Sequence, residues 1–230
     1  GIPMPIIAEY TYSDGSSERV TYPAEIWRKN DVSVGKVIAS EKQITKIMSK
    51  IKVAIIGTGN CAKSLVEGVQ FYTENQANID GMMRSDIGGY TAKDIEFVCA
   101  FDIDERKVNQ PLGVALKQKP NSAWDIVEKI TSKAPVYEAP VIDGYALLMD
   151  AYPEANRFLV SEDLRNTTEM NRTDWTDKKS RLWKDRVIAQ LKEHEVEVLI
   201  NYLPVGSQKT TEFWAEICLE TGISFVYCIP

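Results

Sequence analysis

Histidine is all but missing from this chain: His194 is the only one among 230 residues. A catalytic triad or a His-rich metal site needs an imidazole in a better setting than between Glu193 and Glu195, late in a helical segment. A solvated helix-end residue is expected there. Cysteine is sparse too, and Cys61, Cys99, Cys218 and Cys228 show no C-x-x-C spacing. That scatter fits free thiols in a cytoplasmic protein, with disulfides as the alternative. Positive charge is in deficit, the net charge being −6, which argues against nucleic acid or an anionic membrane as the main partner. No apolar run approaches the roughly 20 residues of a membrane span, and no leader of charged, apolar and small residues opens the chain. The chain begins at Gly1 without a methionine and stops at Pro230 directly after an apolar run, so it reads as a piece of something longer. Its length suits one large or two small domains with a real core.

What is present is concentrated in Ile51 to Leu65, IKVAIIGTGNCAKSL. The apolar run Val53 to Ile56 breaks at Gly57-Thr58-Gly59, and apolar residues then recur at helical spacing through Ala62, Leu65, Val66 and Val69. This predicts a strand, a tight turn and a helix over about Ala62 to Thr73, carrying G-x-G-x-x-A as Gly57, Gly59 and Ala62. Gly57 allows the sharp turn, Gly59 lets the backbone approach a pyrophosphate, and Ala62 keeps the helix close to the strand. The helix start offers unpaired N–H groups to an anion. A glycine turn with no ligand is the competing reading.

A polar excursion, Glu74 to Lys93, precedes a second strand, Ile95 to Phe101, which ends in Asp102-Ile103-Asp104. An acid at that strand end is where a ribose is bound, and a carboxylate there favours NAD over NADP by repelling a 2′-phosphate. The interval from Gly57 to Asp102 is more than twice the roughly 20 residues of a compact fingerprint. A strand-end turn or helix cap is the alternative for both Asp102 and Asp104. Further along, Pro111 should interrupt a helix over Glu105 to Lys117. A short helix is expected within Asn121 to Lys133, a strand over Pro135 to Val141, and a helix over Gly144 to Ala151. Arg157 to Arg181 is polar and loop-like, with Trp175 as an anchor. Leu182 to Glu193 reads as an amphipathic helix, Val198 to Ile200 as a buried parallel strand, Lys209 to Thr221 as a helix and Ile223 to Tyr227 as a strand. The loop between Asn201 and Ser207 lies beyond a strand's carboxyl end, where α/β sheets bind ligands, so it should face the glycine turn.

Residues 1–47 have another character. Ile6 to Tyr12 alternates, Asp14-Gly15 is a hairpin signal and Glu18 to Tyr22 returns. Two more short strands are expected over Val34 to Ile47. MPIIAEYTYSDGSSERVTYPAEIWRKND resembles the extreme C-terminal region of zinc aminopeptidases of the gluzincin type; the chain has no H-E-x-x-H, so no protease activity follows. Met48-Ser49-Lys50 stands where a start codon would fall, and residues 1–47 are expected to be foreign to the rest.

Three blocks, IKVAIIGTGNCAKSLVEGVQFY, YTAKDIEFVCAFDIDERKV and EVEVLINYLPVGSQKTTEFWAEICLETGISFVYCIP, together resemble the nucleotide-binding domain of inositol-1-phosphate synthases of the shorter prokaryotic type. The likeness runs over most of Met48 to Pro230. It implies a Rossmann-like, three-layer α/β domain with a parallel sheet, preceded by the hairpin segment. It also implies an NAD-dependent isomerase that converts glucose 6-phosphate to inositol 1-phosphate by internal oxidation, aldol closure and reduction. Gly57, Thr58, Gly59, Asn60 and Cys61 would line the pyrophosphate. Asp102 would take the adenosine ribose with Asp104 nearby, and Tyr202, Leu203, Pro204 and Ser207 would border the cofactor. The implied partners are a small-molecule sugar phosphate and three further copies in a homo-tetramer. Two departures stand out: Pro111 sits where the family tends to place an acid, and Arg157 to Lys184 is longer than in the relatives. The family's catalytic residues fall beyond Pro230, so no catalytic residue is assigned and the fragment is expected to be inactive alone. An NAD(P)-dependent dehydrogenase with another substrate and a non-catalytic NAD-binding module are the competing readings.

Overall fold

A computed structural model describes residues 6–11, 17–22, 50–145, 147–161, 164 and 178–228. The chain divides into two compact units, Gly1–Ile47 and Met48–Pro230. In the first, β1 (Ile6–Thr11) pairs antiparallel with β2 (Ser17–Tyr22), Ile6 opposite Tyr22 and Thr11 opposite Ser17. This is the hairpin read from the alternation. The Asp14-Gly15 turn and the two strands expected over Val34 to Ile47 lie outside the described residues.

The second unit holds an all-parallel five-stranded sheet: β3 (Ile51–Ile56), β4 (Ile95–Asp102), β5 (Val136–Glu138), β6 (Val198–Asn201) and β7 (Ser224–Tyr227). Their order is β5-β4-β3-β6-β7, so the winding direction reverses between β3 and β6. Ala54 and Ile56 join Phe101, Leu199, Val187, Leu191, Phe213 and Trp214 in one core. Ile55, one residue out of phase, joins Ala62, Val66, Ala100, Leu112 and Leu116 in the other. Successive strand side chains point to opposite faces, so burial of both sets makes three layers. It also explains why β3 is a continuous apolar run rather than an alternating one.

One face is covered by α1 (Asn60–Glu74) and the short α2 (Leu112–Ala115). The other is covered by α3 (Lys178–Glu193) and α4 (Gln208–Thr221). Helix α4 stops at Gly222, whose φ of 72° is the left-handed conformation that ends helices without a Cβ penalty. Pro111 fixes the entry to α2, as its ring geometry favours.

Three local expectations fail. The helix expected within Asn121 to Lys133 is absent, and several backbone donors of the segment are bonded to side chains of α1 instead. Asn60 Oδ1 accepts from the Ser122 and Ala123 N–H groups, Glu67 Oε2 from Ile126 and Gln70 Oε1 from Thr131. Gly144 to Ala151 gives only a 3-10 turn over Leu147–Ala151. His194 is not a freely solvated helix-end residue: its Nε2 lies 2.8 Å from Tyr137 Oη in a part-buried hydrogen bond. Helix α3 begins at Lys178, inside the stretch expected to be loop; Trp175 lies outside the described residues. Among the described residues no helix is long and apolar enough to cross a membrane.

Candidate functional site

The end of β3 enters the point where strand order reverses. Gly57 has φ +84°, and a β-carbon built on it would lie 2.9 Å from the Tyr202 carbonyl oxygen. Only glycine allows both the turn and this approach of the β6 loop. The Gly57 N–H donates to Phe101 O at 2.8 Å, and the Tyr202 N–H to Ile56 O at 2.9 Å. The glycine turn and the Y-L-P-V-G-S loop therefore meet, as the sequence pattern requires.

Helix α1 follows with Gly59 as its N-cap, no side-chain cap and no acid in its first turn. A β-carbon on Gly59 would have nothing within 4 Å. The first amide to bond within the helix is that of Lys63, which donates to Gly59 O at 3.0 Å. The N–H groups ahead of it remain for an outside acceptor, where the helix dipole favours negative charge. Asn60 turns its side chain toward the 122–123 backbone, and the Cys61 thiol is exposed.

Thr58 and the two acids behave otherwise than expected. Thr58 is fully buried. Its N–H donates to Asp102 Oδ2 at 2.7 Å and its hydroxyl donates to the same oxygen. Asp102 Oδ1 accepts from the Ile103 and Asp104 N–H groups at 2.7 and 2.9 Å. All four acceptor positions of the carboxylate are thus met from within the chain. Asp104 is likewise engaged, by Arg106 N, Nε and Nη2 and by the Leu159 N–H. These bonds suit the alternative given for both acids, a strand-end turn, and Asp102 also borders the cavity above the sheet. The Thr58 amide is likewise committed to Asp102 and does not face the crevice.

Above the sheet lies a largely apolar cavity of about 140 Å³, bordered by Gly57, Gly59, Tyr202, Leu203, Pro204 and Ser207 among others. Burial pushes the Tyr202 phenol up from its ordinary pKa. Its far wall is the segment after β5. Asp143 caps helix α4 from a distance, its carboxylate accepting from the Lys209 and Thr210 N–H groups at 2.8 and 2.9 Å and from the Thr210 hydroxyl at 2.7 Å. Gly144, at φ +81°, packs so closely on Ser207 that a β-carbon would overlap its hydroxyl. Trp214 also borders the cavity, and its Nε1 is buried with no acceptor among the described residues.

Sequence reasoning missed Lys107, Asn121, Asp143 and Trp214. Lys107 is fully buried and donates from Nζ to Thr58 O at 2.8 Å and Asn121 Oδ1 at 3.0 Å, 4.0 Å from Asp102. Burial pushes its pKa down, against the pull of Asp102 and Asp104. Three residues past Asp104 in a polar stretch, it looks like any solvated lysine; nothing local marks it for burial. Asp143-Gly144 carries a turn signature but no hint of its distant cap.

No family model matches the chain. A protein named inositol-3-phosphate synthase from Mycolicibacterium smegmatis is 33% identical over 183 residues, 79% of this chain and 44% of the relative. One of the same name from Corynebacterium glutamicum is 33% identical over 184 residues, with the same coverage of each. A solved myo-inositol-1-phosphate synthase-related protein from Thermotoga maritima superposes with a TM-score of 0.57 at 18% identity, over 79% of this chain and 48% of that one, and so shares the fold. The chain spans less than half the length of these proteins. The likeness read from the glycine turn, the A-F-D-x-D strand end and the Y-L-P-V-G-S loop is borne out: over 79% of its length the chain is similar to proteins named inositol-3-phosphate synthase, and its fold is Rossmann-like.

Proposed function

We propose that residues 48–230 are the NAD-holding part of an inositol-phosphate-synthase-like isomerase acting on glucose 6-phosphate in the cytoplasm. The observation that carries this reading is the uncapped start of α1 at the open side of Gly59, beside the crevice at the strand-order reversal. The buried Trp214 Nε1 supports it, being a donor on the same crevice that has no acceptor among the described residues. In the proposal the Gly59, Asn60 and Cys61 amides hold the pyrophosphate, with Gly57 and Thr58 shaping the turn beneath it. Tyr202, Leu203, Pro204 and Ser207 border the dinucleotide and exclude water from one side. Asp102, which also borders the crevice, and Asp104 brace the turn.

Held there, NAD would supply reversible hydride storage, so that a sugar phosphate could be converted to inositol 1-phosphate by internal oxidation, aldol closure and reduction without net redox change. The base and the cations that such a closure requires are assigned to no residue of 48–230. In this reading the complete protein is a homo-tetramer and these residues alone do not turn over substrate. Four free thiols agree with a cytoplasmic setting.

Equilibrium titration with NAD+ tests the proposal. Saturable binding well below millimolar concentration is expected, more than about 4 kcal/mol of binding free energy. A flat titration at millimolar NAD+ would overturn it.

A further inference from the structure

We infer that Lys107 and Asn121 are positioning residues that fix the orientation of one peptide unit, Thr58–Gly59, and thereby present the Gly59 N–H to an anion. The inference rests on the dinucleotide reading above and adds the means by which the anion seat is kept in working order.

In a trans peptide the carbonyl and the following N–H point in opposite directions. The Thr58 carbonyl is drawn inward by Lys107 Nζ at 2.8 Å and by Asn121 Nδ2 at 2.9 Å. The Gly59 N–H must therefore point away from these two donors. On the other side of Thr58 the N–H is held by Asp102 at 2.7 Å, so both peptide units flanking the residue are gripped. Such a grip is needed because a unit followed by glycine rotates at little steric cost. The Gly59 side is also open, with nothing within 4 Å of its missing β-carbon. Turned over, the same unit would present a carbonyl oxygen to the crevice and repel a phosphate.

Burying an ammonium group is expensive, and apolar replacements of buried ionic groups are often neutral for stability. A lysine with no exposed surface, spent on a main-chain carbonyl in the glycine turn, is thus better explained by orientation than by packing. Asn121 repeats the contact from an independent segment and in turn accepts from Lys107 at 3.0 Å.

The test uses the full chain, titrated by calorimetry with NAD+ and ADP, which carry a pyrophosphate, and with adenosine, which does not. Lys107→Met should weaken NAD+ and ADP by about tenfold or more, the worth of one charge-assisted hydrogen bond, and leave adenosine unchanged. Asn121→Ala, the milder change, should weaken both by a few-fold with the same selectivity, and it decides the matter if Lys107→Met does not fold. In the wild type, ADP should also shift the Gly59 amide resonance strongly, and in the variants it should not. Variants that bind NAD+ and ADP like the wild type, or that lose adenosine as much as ADP, overturn this inference alone. A wild type that binds neither NAD+ nor ADP removes the dinucleotide reading and this inference together.

Discussion

Two glycines two residues apart should respond in opposite ways to the same substitution. Gly57 holds φ +84° with a carbonyl 2.9 Å from where a β-carbon would stand, so Gly57→Ala should cost about 1–3 kcal/mol in chemical denaturation. Gly59 has φ −83° and open space. Gly59→Ala should keep stability, or raise it by about 0.4–1 kcal/mol, while weakening NAD+ binding in titration if, as proposed, the phosphates approach there. Asp102 separates a brace from a sugar ligand. With its oxygens taken by Thr58, Ile103 and Asp104, Asp102→Ala should destabilise the fold by about 3–5 kcal/mol. It should lower NAD+ and NADP+ affinity alike, leaving their ratio unchanged; a ratio shifted toward NADP+ would restore the ribose role.

At the scale of elements, the strands were the most legible part, β3 above all, because it is buried on both faces. Val53 to Ile56 and Val198 to Ile200 lie on neighbouring strands inside the sheet, and their shortness and β-branched residues mark them as strands. The segment 121–133 was misread because its amphipathic pattern is local, whereas the side chains that bond its backbone, Asn60, Glu67 and Gln70, stand some sixty positions earlier on α1. The glycine turn was readable as geometry, but what holds it was not: Asp102 was visible as a strand-end acid, and the direction of its carboxylate depends on Thr58 and Lys107 across the fold. Helix α4 gives the prediction at this scale. Asp143→Ala removes its cap and should cost about 1 kcal/mol, read as faster proteolysis after β5 with the sheet's circular dichroism intact. Trp214→Ala, which empties a fully buried site beside Phe101 and Phe213, should cost about 3–5 kcal/mol.

For the molecule as a whole, alkaline stability should carry the mark of a buried thiol. Burial pushes Cys99 up to about 12 from 9.0. Its folded pKa lies above the unfolded one, so its contribution is complete below pH 9 and is lost as pH climbs from 9 toward 12, where the unfolded chain ionises first. Urea midpoints measured from pH 8 to 10.5 should fall less steeply for Cys99→Ala than for the wild type. The sheet also offers two strand–loop–helix units side by side across its reversal, α1 after β3 and α4 after β6. They are not equivalent hosts. The amino end of α4 already holds the carboxylate of Asp143, and that of α1 holds no such guest. If the proposed dinucleotide lies across this reversal, one aspartate leaves only one of the two helix starts free to receive its phosphates.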